Sequence, residues 1–375
     1  MIRLSVPSID ESDVDAVSRV LRTGFLVQGA EVAAFEAALK PHIGTEHVVA
    51  VSNCTAALEL VLRAIGVGPG DRVIVTAYSW LSTANVIALL GAEPVFVDIE
   101  PDTFNVSPQA LRETLAKTFA NRELARRTKA ILVVHTFGQL ANVAEIAAIA
   151  KEYNIPWIED AACALGARNA SGAAGSFGDA GCFSFHPRKA VTTGEGGAIS
   201  TSSADMARSL RALRNHGLDP EAKTSTFVAA GQNTRMTEFQ AALGVVQLGK
   251  LARINGARAS GAARYGELLA KTPLTAPVVV EPGAHVYQSY VTLLPRELAP
   301  KRQELIGELR ARGVETTIGT WHMPMTEYFR TRYGFAVGDF PVADDVFARA
   351  LTLPLYEGLL AEQQETVVRE ISALL

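Results

Sequence analysis

Cysteine is scarce in this chain, with three in 375 residues, at positions 54, 163 and 182. An odd number spread so widely fits neither a disulfide framework nor a CxxC metal site, and a reducing cytoplasm is the simplest setting for it. Positive charge is also in short supply. Lys and Arg total 35 against 39 Asp and Glu, a formal net charge of −4, and no basic block offers the phosphate-neutralising surface that nucleic-acid binding requires. Long apolar runs are missing too: the longest, such as Val86 to Ala92, fall far short of the roughly 18 residues of a membrane span. The opening MIRLSVPSIDESD acquires three acids and a Pro before any apolar run, so no secretory leader is expected. With 30 Gly and 17 Pro, fibrous and low-complexity architectures are excluded as well.

What is present is a globular composition, 48% hydrophobic and 20% charged. The length exceeds the roughly 250 to 300 residues that one core serves, so two unequal domains are expected. From about Glu46, short β-branched runs alternate with helical patterns: HVVAVS then TAALELVLRAIG, RVIVTA then STANVIALLG, PVFVDI then SPQALRETLAK, AILVVHTF then VAEIAAIAKEY, and IPWIEDA. That rhythm predicts βαβ units and a mostly parallel, helix-covered sheet. Turn chemistry agrees, with Gly66 and Gly91 where helix C-caps should fall and Ser107-Pro108 as N-cap and first-turn Pro. After Asp160 the runs GDAGCFSF and GAISTS are separated by too few residues for a helical crossover, which predicts an antiparallel pair. The expected division is a large α/β domain over 26–250 and a smaller C-terminal α+β domain over 251–375. The boundary falls inside a long helix near residue 250, and residues 1–25 pack on the tail.

Ligands of open α/β sheets gather beyond the carboxyl ends of strands, so polar residues just after apolar runs are the candidates. Asp160 follows one such run, where an acid could equally be a helix N-cap. Lys189 lies between a strand and a Gly-rich turn, with apolar neighbours Phe183, Phe185 and Val191. A desolvated Lys there is expected to lose its proton more easily and act as a Schiff-base nucleophile. In VSNCTAALEL, backbone N–H groups of Cys54, Thr55 and Ala56 would form an anion site at a helix start, or Asn53 and Thr55 would serve only as caps. TAYSWLSTAN brings Trp80 to a strand end, as a stacking ring or as a core residue. Together these form the parts list of a pyridoxal 5′-phosphate site. Dinucleotide, ATP and zinc readings are weak, because no GxGxxG follows a strand, no GxxxxGK[ST] occurs and the seven His lack HExxH-like spacing.

The order of VSNCTAAL, TAYSWLSTANVIALLGAEPVFVDIE, VHTFGQLANV, IEDAACALGA, FSFHPRKAVTTGEGGAI, LRNHG, NTRMTEFQAALG and GDFPVADDVFARALTLPLY resembles the DegT/DnrJ/EryC1/StrS family of sugar aminotransferases over nearly the whole chain. The resemblance implies the fold type I aminotransferase architecture. It implies that Lys189 carries the cofactor in a Schiff base, that Asp160 pairs with the pyridine nitrogen and that Trp80 stacks on the ring. Ser184, Thr55 and the backbone at Cys54 would hold the phosphate, and Asn233 would reach it from the neighbouring subunit of a homodimer with shared sites. It further implies transfer of an amino group from L-glutamate to a keto group of a nucleotide-linked deoxysugar.

Substrate contacts are expected in the loops near Arg168 to Gly175 and Trp321 to Tyr328, with His186 and His322 as candidates. Two departures stand out: Cys54 replaces a frequent Gly, and Cys163 replaces the Gln or His found near the cofactor's phenolic oxygen, where a thiol is a weaker hydrogen-bond partner. Retention of Lys189 disfavours the dehydratase branch, which has His there. The alternatives are amination of a cyclitol or another non-nucleotide ketone, and a non-catalytic regulatory protein that binds the cofactor. A cysteine desulfurase would need a mobile nucleophilic Cys, which the contexts of the three cysteines do not suggest.

Overall fold

The computed structural model describes residues 1–281 and 283–375. Seven strands build the main sheet: β1 (His47–Val51), β2 (Arg72–Thr76), β3 (Glu93–Val97), β4 (Thr128–Val134), β5 (Trp157–Asp160), β6 (Ala180–Ser184) and β7 (Gly197–Thr201). Their order is β1-β7-β6-β5-β4-β2-β3. The pairs from β6 through β3 are parallel, and β7 is antiparallel to both its neighbours. The antiparallel pair expected after Asp160 is therefore β6 with β7, with Gly197 opposite Ser184.

Both faces of the sheet are covered, and the strand alternation shows it. In β4, Ala130 and Leu132 pack on one side with Leu58, Val61 and Ile158. Ile131 and Val133 pack on the other with Leu111, Leu115, Ile146 and Ile149. A parallel sheet buried on both faces needs apolar residues at every position, which is why these strands read as continuous β-branched runs. Local signals also match. Ser107 caps the helix Pro108–Phe119 through a bond from the Ala110 N–H at 3.3 Å, and Gly66 takes the left-handed conformation (φ 82°) just past the helix Cys54–Ala64.

Because β7 reverses direction and β1 reverses again, β1 runs the same way as β6, β5, β4 and β2. The carboxyl ends of these strands therefore share one edge, where the site lies.

A helix of 32 residues, Glu238–Leu269, leads into the tail. There Tyr290–Leu293 pairs antiparallel with Ala350–Leu353 over a core that includes Tyr265, Leu309, Val314 and Val367. The first residues lie on this tail, with the Ile2 N–H 2.7 Å from the Gly313 carbonyl oxygen. The helix Glu11–Thr23 instead packs Ala16 and Val20 against Ala242 in the first half of the long helix, where Asp13 accepts from Lys250 at 2.6 Å. Tail and sheet also meet where Trp321–His322 pairs with Tyr78–Ser79. Among the described residues no helix is long and apolar enough to cross a membrane.

Candidate active site

At the shared strand edge lies a cavity of about 460 Å³. Cys54, Thr55, Trp80, Asp160, Cys163, Ser184, His186 and Lys189 all line it, although they come from four separate stretches of sequence. The tail closes it with Thr317, Gly319, Thr320 and Thr352.

Asp160 is the last residue of β5 and is 5% exposed. No helix follows it, so the capping alternative does not apply. Its Oδ1 accepts from the Ala162 N–H at 3.2 Å, within a turn, and its Oδ2 accepts from the Thr83 hydroxyl at 2.8 Å. Burial pushes the carboxyl up, while Thr83, Ala162, Lys189 and His135 oppose that shift.

Lys189 sits in the connection between β6 and β7, in a turn closed by its own N–H to the His186 carbonyl at 2.8 Å. Its Nζ is 3.0 Å from the Cys163 sulfur. Burial pulls the Lys189 ammonium down, but the Cys163 sulfur, then Asp160 and Cys54, outweigh it, and the net direction is upward. This corrects the expectation from sequence that desolvation would win. The flanking apolar residues were visible, whereas the sulfur and the carboxylate, brought in from other strand ends, were not.

Asn53 is the N-cap of the helix Cys54–Ala64, its Oδ1 accepting from the Ala56 N–H at 2.9 Å. Among the described residues the Cys54 and Thr55 N–H groups have no intramolecular acceptor, and both residues line the cavity with the Ser184 hydroxyl. The cap occupies only the Ala56 N–H and leaves the two before it free. Two free N–H groups at the positive end of a helix dipole are what a phosphate needs. Gly197 permits this arrangement: a Cβ there would lie 2.5 Å from the Asn53 carbonyl carbon and 2.8 Å from the Cys54 nitrogen. Trp80, 59% exposed, is not a core residue and offers its ring to the cavity.

Two expected site residues lie elsewhere. Asn233 is exposed and outside its own chain's cavity. His322 is not brought to the cavity wall. It is 2% exposed, packs on Phe340 and Phe347, and places Nδ1 3.3 Å from an Asp344 carboxylate oxygen. None of the residues expected as substrate loops, Arg168 to Gly175 and Trp321 to Tyr328, lines the cavity, and the His322 side chain turns inward.

A supporting layer escaped sequence reasoning. Glu159, fully buried, accepts from the Gly175, Phe177 and Gly178 N–H groups, each at 2.7 Å, and contacts the His135 Nε2 at 2.8 Å. His135 Nδ1 accepts from the Ala141 N–H at 3.1 Å, so Nε2 carries the proton and donates to Glu159. The carboxylate before Asp160 thus ties β5 to a loop and to the end of β4.

These residues fit pyridoxal phosphate: free helix N–H groups and Ser184 for the phosphate, a buried acid for the ring nitrogen, an exposed indole for the ring face and a Lys amine. Sheet topology and side chains together define a pyridoxal phosphate-dependent aminotransferase of fold type I. The chain belongs to the DegT/DnrJ/EryC1/StrS aminotransferase family, whose sequence model matches residues 7–372.

The chain is 35% identical over 378 residues to the GDP-perosamine synthase of Caulobacter vibrioides, covering 100% of this chain and 98% of the relative. Its fold matches PseC of Helicobacter pylori, an aminotransferase involved in the biosynthesis of pseudoaminic acid, with a TM-score of 0.91 and 26% identity over 99% of this chain and 98% of that one. It also matches the putative sugar aminotransferase Spr1654 of Streptococcus pneumoniae. The PMP form gives a TM-score of 0.92 with 26% identity over 100% and 99% of the two chains, and the PLP form gives 0.91.

Proposed function

We propose that this enzyme moves an amino group from L-glutamate to a keto group of a nucleotide-linked deoxysugar, as a cytoplasmic homodimer supplying amino sugars for cell-surface polysaccharide or a secondary metabolite. The observation that carries the reading is the meeting of Lys189, Asp160 and the free N–H groups of Cys54 and Thr55 in one cavity. The names of relatives that make perosamine and pseudoaminic acid support a sugar ketone as acceptor.

When bound, pyridoxal phosphate supplies the electron sink that stabilises a developing carbanion. The chain's residues do the rest. Lys189 Nζ would anchor the cofactor and, once free, would carry the proton between the substrate carbon and the cofactor's aldehyde carbon. Asp160 would keep the ring nitrogen protonated, the helix start and Ser184 would hold the phosphate, and Trp80 would stack on the ring. Asn233, exposed on its own chain, completes the phosphate site of the neighbouring subunit, and His186, in the cavity wall, faces substrate. The division into 26–250 and 251–375 is supported by the tail cluster around Tyr265, Leu309 and Val367, while Met323, Phe329 and Phe340 pack with the core of the sheet.

Mass spectrometry of products from a panel of keto-sugar nucleotides with glutamate tests the activity. A product 15-nitrogen-labelled from labelled glutamate is expected, and turnover of free cyclitol ketones alone would overturn the substrate class. Sedimentation with and without cofactor tests the shared site, since dimer and cofactor should each favour the other. An active, cofactor-saturated monomer would contradict it.

A further inference from the structure

Behind Asp160 runs a short chain of hydroxyls. Thr83, fully buried in the first turn of the helix Ser82–Leu89, donates to Asp160 Oδ2 at 2.8 Å. Its oxygen lies 3.1 Å from that of Ser79, which is 5% exposed and lines the cavity. The two hydroxyls have separate supports: Ser79 sits on the short strand paired with Trp321–His322, and Thr83 on the helix that follows.

The direction of this chain depends on the state of Asp160. An ionised carboxylate only accepts, so Thr83 must donate to it and can accept from Ser79. A protonated Asp160 would bring its own hydrogen to the contact and favour the reverse direction. Among the described residues Thr83 is the only protein donor to Oδ2. Lys189, His135, Cys54 and Cys182 are the titratable groups facing the same carboxyl.

We propose that Thr83 is a positioning residue for transamination: with Ser79 behind it, Thr83 holds Asp160 as the accept-only carboxylate that keeps the cofactor's ring nitrogen protonated. The proposal rests on the reading of Asp160 as the ring-nitrogen partner. A charge-assisted hydrogen bond is strong enough that its loss should be felt about tenfold.

The test compares binding of two cofactors to apo-protein: pyridoxal phosphate, and 1-deazapyridoxal phosphate, in which carbon replaces the ring nitrogen. Thr83→Val should weaken pyridoxal phosphate about tenfold with little effect on the deaza analogue, and Thr83→Ser should restore the preference. A merely structural Thr83 would change both cofactors alike, and either that result or unchanged binding overturns the proposal. If Thr83→Val does not fold, Ser79→Ala reports the same preference through a smaller loss, about threefold, and an unchanged preference there overturns it equally. Asp160→Asn separates the two readings. If it too keeps the preference, the ring-nitrogen assignment fails; if it loses the preference while Thr83→Val keeps it, only the role of Thr83 fails.

Discussion

The Nζ of Lys189 lies 3.0 Å from the Sγ of Cys163, and this contact opposes the effect of burial on the amine. Burial alone would release the Lys189 proton more easily; the Cys163 sulfur, which accepts from Nζ, together with Asp160 and Cys54, holds it. Cys163→Ala leaves the burial and removes the first opposing contact. The pH at which apo-protein begins to capture pyridoxal phosphate, a reaction of the neutral amine, should therefore move down in the variant. An onset at the parental pH or above would show that the sulfur does not hold the proton.

Gly197→Ala tests the phosphate cradle without touching a polar group. The new Cβ would meet the Asn53 carbonyl carbon at 2.5 Å, its oxygen at 2.6 Å and the Cys54 nitrogen at 2.8 Å, all backbone atoms that no rotamer change can clear. Overpacking of this kind costs about 1–3 kcal/mol. Relief requires the helix start to shift away from β7, so cofactor affinity should fall along with stability. Parental cofactor binding measured by fluorescence titration, with an unchanged melting temperature, would refute the dependence.

His285 should make part of the fold acid-sensitive. It is 8% exposed, stacked on Tyr287 with ring centroids 4.1 Å apart, and its Nδ1 accepts from the Tyr287 N–H at 3.0 Å. Burial, opposed by the Gly138 backbone, pushes its pKa down from 6.5 to about 4. Above pH 6.5 both folded and unfolded chains hold it neutral and the contribution is fully present. As pH falls through 4 the unfolded chain has taken a proton that the fold resists, and roughly 3 kcal/mol is lost. His285→Asn keeps an acceptor and does not titrate. Urea unfolding at about pH 7 and about pH 4.5 should show a smaller acid loss in the variant, and equal losses would remove His285 from the account.

The chemistry that was legible in the sequence sat where a strand ended. Asp160 and Lys189 each follow an apolar run, and the rule that ligands gather at strand ends picks them out without any contact being known. The helix start at Asn53 was equally legible, because capping residues announce themselves locally. What stayed hidden depends on distant pairing. Thr83 is an ordinary helix residue until Asp160, 77 positions away, arrives beside it. Glu159 and His135 read as strand-end polar residues, and only the fold shows them buried as a pair. The direction of the Lys189 shift was misjudged for the same reason, since Cys163 lies 26 positions away. His322 shows the converse: the cavity wall in its loop ends at Thr320, and the His322 side chain is turned inward onto Phe340 and Phe347, which sequence position does not reveal.

Asp160→Asn separates structure from chemistry most sharply. The amide oxygen can still accept from Ala162, and the amide NH2 in place of Oδ2 can donate to the Thr83 hydroxyl, which is free to turn toward Ser79, so the turn after β5 keeps its local bonds. The variant loses only the charge. Burial raises the folded carboxyl above its ordinary value, so its stabilising contribution is complete below the unfolded pKa and is lost as pH rises through the folded one. At neutral pH, above the unfolded value, the buried carboxyl is thus a burden on the apo-protein, and the Asn variant should unfold no more easily than the parent. Turnover should move the other way: without a negative charge to hold the ring nitrogen protonated, the half-reaction with glutamate should slow by about a hundredfold or more. Single-turnover loss of the cofactor's absorbance on mixing with glutamate measures this step directly. A rate within a few-fold of the parent, in a variant of equal stability, would leave Asp160 with only the turn to hold.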